Sequence, residues 1–378
     1  MKQSLALVGA NVFDGTQILT AQAVIVEGNA AKVVPETQIS KDTRQINLDG
    51  GTIMPGFVDL QVNGGGGLMF NSAPTVETVE IMAQAHMSLG TRAFLPTLIT
   101  DRPKITAAAI EAVRQAVRGG VKGVAGLHLE GPHLNVVKKG AHDAGLIRAM
   151  TTDDMKVLLD AADSLPNLMV TLAPETVSLS DISTLADAGV IVSLGHSDTD
   201  YDTAMRAFDA GARCATHLFN AMSPLTSRAP GLVGAAMSHP QASAGLIADG
   251  VHVHPATIRL ALAAHKGPRD IFVVTDAMAC AGSDITHFEL NGRQIKRAGG
   301  RLTLSDGTLA GADVTMARSL DVLINDVGEP PARALSRTTT VPASMLRDVG
   351  NAASLPAQVD DMIHLGADFS VTHLADVI

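Results

Sequence analysis

Apolar runs of strand length alternate with helix-period segments through the middle of the chain. Each run is rich in Val, Ile, Leu and Ala, and polar or glycine-containing stretches bound it. These runs predict eight strands, at residues 53–62, 93–97, 123–129, 168–172, 190–194, 214–217, 244–248 and 271–275. The intervening patterns predict helices at 75–89, 104–117, 152–162, 200–210 and 255–265. Such alternation is typical of parallel α/β folds, and eight repeats favour a closed (β/α)8 TIM-like barrel over an open sheet.

The two ends of the chain have a different pattern. Short β-like runs, separated by turn residues such as Asp-Gly, occur at 5–8, 23–27, 45–48, 362–365 and 368–374. We therefore predict that residues 1–53 and 348–378 together form one small β domain, a β-sandwich built from both chain ends. The catalytic barrel is then expected to occupy residues 54–347.

Composition and charge narrow the classes of function. The chain has 378 residues, of which 46% are hydrophobic and 17% charged, as in a compact globular enzyme. Its formal net charge of −10 repels nucleic acid and anionic membranes, so we expect neither as a partner. Neither a membrane-spanning apolar run nor a signal-peptide pattern is evident, which predicts a cytoplasmic protein. Cys214 and Cys280 form no C-x-x-C pair, so a disulfide framework or cysteine-rich zinc site is not expected.

Candidate chemistry lies where the predicted strands end. Polar residues that can bind metals or move protons follow six of the strands, namely Gln61 and Asn63, His128 and Glu130, His196, His217, Asp249 and His252, and Asp276. Any one of these residues could have a purely structural role, as a hydrogen-bonded histidine or a capping carboxylate. In (β/α)8 enzymes, however, the catalytic site lies at the carboxyl ends of the strands. Taken together, these residues predict a ring of site residues there.

Three of these residues form a common ligand set. Glu130, His196 and His217 provide one carboxylate and two imidazoles, which suit a catalytic zinc with one open position. We expect one divalent ion per subunit, Zn²⁺ first, although Fe²⁺, Co²⁺ and Mn²⁺ can use the same ligands. Asp276 follows an apolar strand and could take a proton from a metal-activated water, with a cap on the next segment as the alternative interpretation.

An ordered series of motifs runs from about residue 55 to 320. The motifs are PGFVDLQVNG at 55–64, HLEGP at 128–132, KKGAH at 138–142, GHS at 195–197, THLFNAM at 216–222, ADGVH at 248–252, VTDA at 274–277 and LAGA at 309–312. Each motif alone is weak, but the series closely resembles the N-acetylglucosamine-6-phosphate deacetylase family of the amidohydrolase superfamily.

The resemblance implies roles for individual residues. Glu130, His196 and His217 match the family's metal ligands, Asp276 matches its catalytic acid/base, and His142 matches a residue beside the substrate carbonyl. The implied substrate-binding residues are Ala141, Asn220, Ala221, Arg228, His252, Leu309, Ala310, Gly311 and Ala312.

Two further features follow from the resemblance. Many superfamily members carry His-x-His after the first strand and bind a second metal there, whereas this chain has Gln61 and Asn63. Because amides are weaker ligands than imidazoles, we expect any second ion at these residues to be weakly held. Arg228 matches an arginine that reaches the sugar phosphate of the neighbouring subunit, which implies a homodimer.

The implied reaction is hydrolysis of the N-acetyl group of N-acetylglucosamine 6-phosphate to glucosamine 6-phosphate and acetate. Two alternatives stay open. The substrate could be another N-acyl compound, such as N-acetylgalactosamine 6-phosphate or an N-acyl amino acid, which side-by-side kcat/KM values would decide. The protein could also be a non-catalytic sugar-phosphate sensor, but a sensor does not need both Asp276 and the complete ligand set, and this chain retains both.

Overall fold

The structure is a computed structural model that describes residues 4–265, 270–347, 349 and 358–378. In it, the N-terminal segment folds into short strands. These strands are β1 (Leu5–Val8), β2 (Asn11–Phe13), β3 (Ile18–Leu19), β4 (Gln22–Glu27), β5 (Ala30–Pro35), β6 (Arg44–Asn47) and β7 (Thr52–Pro55). Four of them form a sheet in the order β5-β4-β1-β6, in which only the β1–β6 pair is parallel.

Eight parallel strands then form the barrel. The strands of this region are β8 (Phe57–Val62), β9 (Gly64–Gly65), β10 (Leu68–Met69), β11 (Thr91–Ile99), β12 (Leu127–Glu130), β13 (Leu168–Leu172), β14 (Ile191–Leu194), β15 (Cys214–Ala215), β16 (Ser243–Leu246) and β17 (Ile271–Val273). Apart from the β9–β10 hairpin, they pair in chain order from β8 to β17. A parallel bridge between Val62 and Ala277 joins the two ends of the sheet, so the predicted (β/α)8 barrel is confirmed.

Helices follow most of the barrel strands. They are α1 (Val76–Ser88), α2 (Pro103–Arg118), α3 (Thr152–Ser164), α4 (Leu179–Asp187), α5 (Tyr201–Asp209), α6 (Gly231–Ser238), α7 (Pro255–Ala264), α8 (Met316–Asp321), α9 (Pro331–Thr338) and α10 (Thr340–Ala343). A π-helical stretch, Val322–Val327, continues α8. Short 3₁₀ turns occur at Glu36–Gln38, Phe70–Ser72, Val136–Lys138 and Val359–Asp361. In the described part of the chain, no helix has the length and apolar character needed to cross a membrane.

The barrel strands are buried on both faces. In β13, Leu168, Val170 and Leu172 belong to the apolar layer shared with the helices, whereas Met169 belongs to the cluster that fills the barrel. Because side chains alternate along a strand, one continuous apolar run supplies both layers. This double burial explains why the strands appear in the sequence as unbroken apolar runs.

A three-stranded antiparallel sheet follows the barrel strands, and the sequence patterns did not predict it. Its strands are β18 (His287–Leu290), β19 (Arg293–Ala298) and β20 (Arg301–Thr303). Phe288, Leu290 and Ile295 of this sheet pack with Met69 of β10 and with Met278, which lies in the loop after β17. The sheet therefore covers part of the mouth of the barrel, at the carboxyl ends of the strands.

The C-terminal residues return to the N-terminal strands. The last elements are β21 (Met362–Leu365), β22 (Val371–His373) and α11 (Leu374–Val377). Strand β21 pairs antiparallel with β7, in a sheet of order β22-β21-β7-β2-β3. Both chain ends thus contribute to one β unit. The exact domain limits, 1–53 with 348–378 and 54–347, stay a prediction, and residues 1–3, 348 and 350–357 lie outside the described residues.

The single strand predicted at 53–62 is wrong in one respect, because the structure divides it into β7 and β8. Gly56 separates the two strands, and its N–H donates to Asp361 O at 2.8 Å. A side chain at Gly56 would place Cβ 2.9 Å from Gly90 O, so glycine is required where the chain passes from the terminal sheet into the barrel. An unbroken apolar run does not reveal that its two halves belong to different sheets.

Candidate metal centre and active site

The residues predicted as a site ring converge on one end of the barrel. Glu130 is the last residue of β12, and His196, His217 and Asp276 follow β14, β15 and β17 by two or three residues. All four line one cavity of about 270 Å³. Because parallel strands end at the same mouth, residues far apart in the sequence become neighbours there.

Three of these side chains direct ligand atoms at one another. Glu130 Oε1 lies 3.2 Å from His196 Nε2 and 3.1 Å from His217 Nε2, and the two Nε2 atoms are 3.1 Å apart. Ligands of a tetrahedral zinc are roughly 3.3 Å apart when the metal bonds are ~2.0–2.1 Å long. The three residues are only 2–4% exposed. Their spacing and burial fit a shared divalent cation.

A main-chain contact fixes the orientation of His196. Its Nδ1 lies 2.8 Å from the carbonyl oxygen of Lys138, which can only accept a hydrogen bond. In the neutral ring, Nδ1 therefore carries the proton, and the lone pair of Nε2 faces Glu130 and His217. A metal-binding imidazole commonly has such a partner for its other nitrogen. His217 has no equivalent contact, since its buried Nδ1 finds no hydrogen-bond partner among the described residues.

His142 lies beside this ligand set. Its Nε2 is 3.8 Å from Glu130 Oε2, and its ring centroid is 4.3 Å from that of His196. The ligating atoms of Glu130, His142 and His196 all lie within 4.8 Å of one another, so distance alone would also admit His142 as a metal ligand. The sequence prediction gave His142 a different role, as a contact for the substrate carbonyl.

The surroundings shift the pKa values of Glu130 and His142 away from their ordinary values. Burial alone would raise the pKa of Glu130, but its contacts with the His196 and His217 rings in their protonated form outweigh burial and hold that pKa well below its ordinary value. Burial, and next the charge of His196, lower the pKa of His142 to about 3. Glu130 is therefore an anion and His142 a neutral imidazole, which suits a cation ligand beside a hydrogen-bonding group.

Asp276 is held by the two amides predicted as weak second-metal ligands. Its Oδ1 accepts from Gln61 Nε2 at 3.1 Å and from Asn63 Nδ2 at 2.6 Å. Gln61 Nε2 also donates to Glu130 Oε1 at 3.1 Å, so one amide bridges both carboxylates. Both amides thus present N–H groups where a metal ligand would present oxygen, and a second ion at these residues stays a prediction.

The pKa of Asp276 is suited to proton transfer. Burial, and next the charge of Glu130, raise the pKa of Asp276 to about 6. A carboxyl group with a pKa near neutrality can accept a proton from an attacking water and return it to a leaving group. The two amide donors occupy Oδ1, which leaves Oδ2 for the proton.

The backbone is unusual at these positions. His196, His217 and Asp276 have φ values of 48°, 30° and 51°, in the left-handed region that non-glycine residues rarely adopt. Such conformations cost about 1–3 kcal/mol each and cluster at functional sites. They also explain why β15 ends at Ala215, although its apolar pattern predicted a strand as far as His217.

Not every polar strand end reaches the cavity. His128 lies in the barrel interior below the ligand set, where its Nε2 is 2.8 Å from Thr171 Oγ1. Thr171, Thr216 and Ser193 continue this hydrogen-bonded layer with oxygen separations of 2.7 and 2.6 Å. Burial is the main reason why the pKa of His128 is lowered to about 4. Its position indicates a structural role, because it lies on the same inward face of β12 as Glu130 but two residues earlier, and therefore deeper in the barrel.

Most of the predicted substrate contacts line the same cavity as the ligand set. They are Ala141, Asn220, Ala221, His252, Leu309 and Gly311. Ala310 and Ala312 are buried behind the cavity wall, and Ala312 N–H donates to Asp276 O at 3.0 Å. Arg228 does not line this cavity. It is exposed and lies at a separate surface cleft with Asp198 and Tyr201.

The structure gives specific contacts to three residues that had no individual role in the sequence prediction. Asp249 Oδ2 lies 2.6 Å from His252 Nδ1 and orients that ring; its place in the ADGVH motif was the available signal. Arg293, on β19, donates to the carbonyl oxygen of Ala141 and ties the antiparallel sheet to the His142 loop. Thr100 contacts His142 Nδ1. Arg293 had no sequence signal, because the sheet that carries it was not predicted.

Comparison with known proteins agrees with this geometry. The model of the amidohydrolase family matches residues 52–351, and that of the NagA composite domain matches residues 5–53. An N-acetylgalactosamine-6-phosphate deacetylase of Shewanella is 40% identical over 89% of this chain and 87% of its own length. An N-acetylglucosamine-6-phosphate deacetylase of Haemophilus influenzae is 35% identical over 89% and 88%.

A solved structure extends the likeness to the whole fold. The crystal structure of N-acetylglucosamine-6-phosphate deacetylase from Pasteurella multocida superimposes with a TM-score of 0.90 at 35% identity, and the match covers 97% of both chains. The family model spans most of the chain, and relatives at 35–40% identity are matched over nearly their full length. The chain therefore belongs to the amidohydrolase family, in the group that contains the N-acetylglucosamine- and N-acetylgalactosamine-6-phosphate deacetylases.

Proposed function

We propose that this protein hydrolyses the N-acetyl group of N-acetylglucosamine 6-phosphate to glucosamine 6-phosphate and acetate. One observation carries the proposal. Ligand atoms of Glu130, His196 and His217 lie 3.1–3.2 Å apart at the mouth of the barrel, and Asp276 lines the same cavity. A carboxylate–imidazole ligand set beside a proton-accepting carboxyl group is suited to hydrolysis of an amide.

Glu130, His196 and His217 would hold one divalent cation, with Zn²⁺ as the first expectation and Fe²⁺, Co²⁺ or Mn²⁺ as the others. When bound, the cation supplies a Lewis acid that polarises a carbonyl group and lowers the pKa of a water. The fixed lone pair of His196 Nε2 and the low pKa of Glu130 prepare these residues for a cation.

The residues of this chain perform the proton transfers. Asp276 removes a proton from the water as the water oxygen bonds to the carbonyl carbon. Gln61 and Asn63 fix the orientation of Asp276 during this step. His142 donates a hydrogen bond to the oxyanion. Asp276 then gives its proton to the amine nitrogen as the C–N bond breaks, which yields acetate and the free amine.

The test is acetate release by the zinc-loaded protein with three substrates in parallel. We expect the highest kcat/KM with N-acetylglucosamine 6-phosphate and a much lower value with unphosphorylated N-acetylglucosamine. N-acetylgalactosamine 6-phosphate is the second candidate, because the Shewanella relative at 40% identity carries that activity in its name. A higher kcat/KM with that sugar than with N-acetylglucosamine 6-phosphate would contradict the proposed substrate. Binding without acetate release from any of these sugars, or from N-acyl amino acids, would indicate a sensor.

We also propose that the protein is a homodimer in which Arg228 reaches the cavity of the neighbouring subunit. Arg228 is exposed and does not line its own cavity. Leu225 and Val137 are 54% and 74% exposed, so apolar surface near Arg228 and near the His142 loop is available for a second copy. A guanidinium group is well suited to bind a sugar phosphate.

The Arg228→Met variant tests this arrangement. We expect its KM for the phosphorylated sugar to rise about 10- to 100-fold, because charge-assisted hydrogen bonds to the phosphate are lost. Hydrolysis of the unphosphorylated sugar should not change. Arg206→Met, which alters an exposed arginine on α5, is the matched control. Sedimentation analysis should show a dimer; a fully active monomer would contradict the shared site.

A further inference from the structure

We propose that Thr100 fixes the tautomer of His142, so that the ring presents an N–H group rather than a lone pair to the cavity. The same contact excludes His142 as a metal ligand. Thr100 directly follows β11, and His142 lies in the loop between β12 and α3. The kinetic part of this inference rests on the proposed hydrolase function, whereas the tautomer itself can be observed independently of turnover.

The contact between the two residues has a defined direction. Thr100 N–H donates to His142 Nδ1 at 3.3 Å, and Thr100 Oγ1 lies 2.8 Å from the same nitrogen. The hydroxyl also lies 3.4 Å from Glu130 O, so the backbone N–H, which can only donate, is the group that makes His142 Nδ1 the acceptor. If Nδ1 carried the proton instead, two N–H groups would oppose each other. The ring and Thr100 are 3% and 1% exposed, so water cannot readily replace this contact.

A neutral ring whose Nδ1 accepts has its proton on Nε2. That nitrogen lies 3.8 Å from Glu130 Oε2, in a residue that lines the cavity. His142 Nε2 is therefore a donor and has no lone pair in the ring plane for a cation. His196 is the opposite case, because its Nδ1 faces the carbonyl oxygen of Lys138 at 2.8 Å and its Nε2 keeps the lone pair.

Both histidines thus point Nε2 at the site, but this nitrogen carries a proton in His142 and a lone pair in His196. Distance alone admits either ring as a ligand, since the ligating atoms of Glu130, His142 and His196 lie within 4.8 Å of one another. The two rings differ in the main-chain group that contacts Nδ1, which is an N–H group for His142 and a carbonyl oxygen for His196. His196 can bind a cation, and His142 can donate a hydrogen bond to the oxygen of a substrate carbonyl as negative charge develops on it.

Nuclear magnetic resonance of the zinc-loaded protein tests the tautomer directly. Long-range ¹H–¹⁵N correlations of ¹⁵N-histidine-labelled protein distinguish a protonated ring nitrogen from an unprotonated one. The His142 signals would be those that disappear in His142→Gln. We expect a proton on Nε2 and none on Nδ1. A proton on Nδ1, or a zinc-bound Nε2, would overturn the inference.

Two replacements of His142 test which of its ring nitrogens donates the hydrogen bond to the substrate. The amide nitrogen of glutamine reaches the place of Nε2, whereas that of asparagine reaches the place of Nδ1. We expect His142→Gln to keep kcat within about tenfold of the wild type, and His142→Asn to lose about 10²–10³-fold, as for loss of one oxyanion donor. Zinc content should stay at one ion per chain in both. Equal losses, or loss of zinc from either variant, would contradict the proposed donor role.

Thr100 itself is tested with a matched pair of variants. Thr100→Val keeps the shape and the backbone N–H but removes the hydroxyl, and we expect kcat to fall about 3- to 10-fold with KM nearly unchanged. Thr100→Ser keeps the hydroxyl and should restore wild-type kcat. An unchanged kcat in Thr100→Val would overturn the role of the hydroxyl. If the wild type released no acetate, the proposed function would fail, but the resonance and zinc measurements would still decide the tautomer.

Discussion

Replacement of Asp276 by asparagine is expected to leave the protein folded and loaded with metal while kcat falls by about 10²–10⁴-fold. Asparagine has the same shape, and its oxygen can still accept from Gln61 and Asn63, which now hold Asp276 Oδ1. It cannot, however, take a proton from water at neutral pH. The pKa of Asp276, raised to about 6 by burial and by Glu130, would suit the carboxyl group to the proposed proton transfer.

Acetate release and metal content measured on the same preparation would check this expectation. Asp284→Asn is a suitable control, because Asp284 is exposed and does not line the cavity. This control should keep the wild-type kcat. If Asp276→Asn released acetate at the normal rate, another group would have to be the base, and the proposed acid/base role would be wrong.

Loss of the metal is expected to have an effect of similar size. Removal of the ion with a chelator should lower kcat by at least about 10³-fold, and one equivalent of Zn²⁺ should restore it, since the cation would polarise the carbonyl group and lower the pKa of the water. His196→Asn should have the same effect by weakening binding of the ion. The ring of His196 is only 4% exposed, and asparagine cannot reproduce its Nε2 lone pair.

Metal analysis combined with a kinetic assay would test the ligand set. His287→Asn is the matched control, because His287 is exposed on β18 and does not line the cavity. It should retain one ion per chain and full activity. A His196→Asn variant with normal metal content and normal turnover would show that His196 is not a ligand, and the proposed centre would have to be replaced.

Local patterns in the sequence were sufficient to predict the barrel. Alternation of apolar runs with helical segments predicted the (β/α)8 barrel, and β13 shows why, because its two faces are buried in different apolar layers. The positions of Glu130, His196, His217 and Asp276 after barrel strands then predicted where the site lies. This inference needs no distances, since all parallel strands of a barrel end at one mouth.

Other features had no local signal. The apolar run at 53–62 did not show that β7 and β8 belong to different sheets, and the polar pattern at 287–303 did not indicate the antiparallel sheet over the barrel mouth. Arg293 contacts Ala141 across 152 positions of the sequence. Pairing between strands and contacts of this range depend on how the whole chain packs, which periodicity does not describe.

The sequence by itself determined which side chains could take part in catalysis, because residue type sets donor, acceptor and ligand chemistry. Only the tertiary structure decided how His142 and His196 differ. They are the same residue type beside the same carboxylate, yet Thr100 N–H lies behind one ring and Lys138 O behind the other. A histidine's tautomer depends on its partner in space, so the proposed division between a metal-binding ring and a hydrogen-bonding ring follows from the fold and not from the residue type.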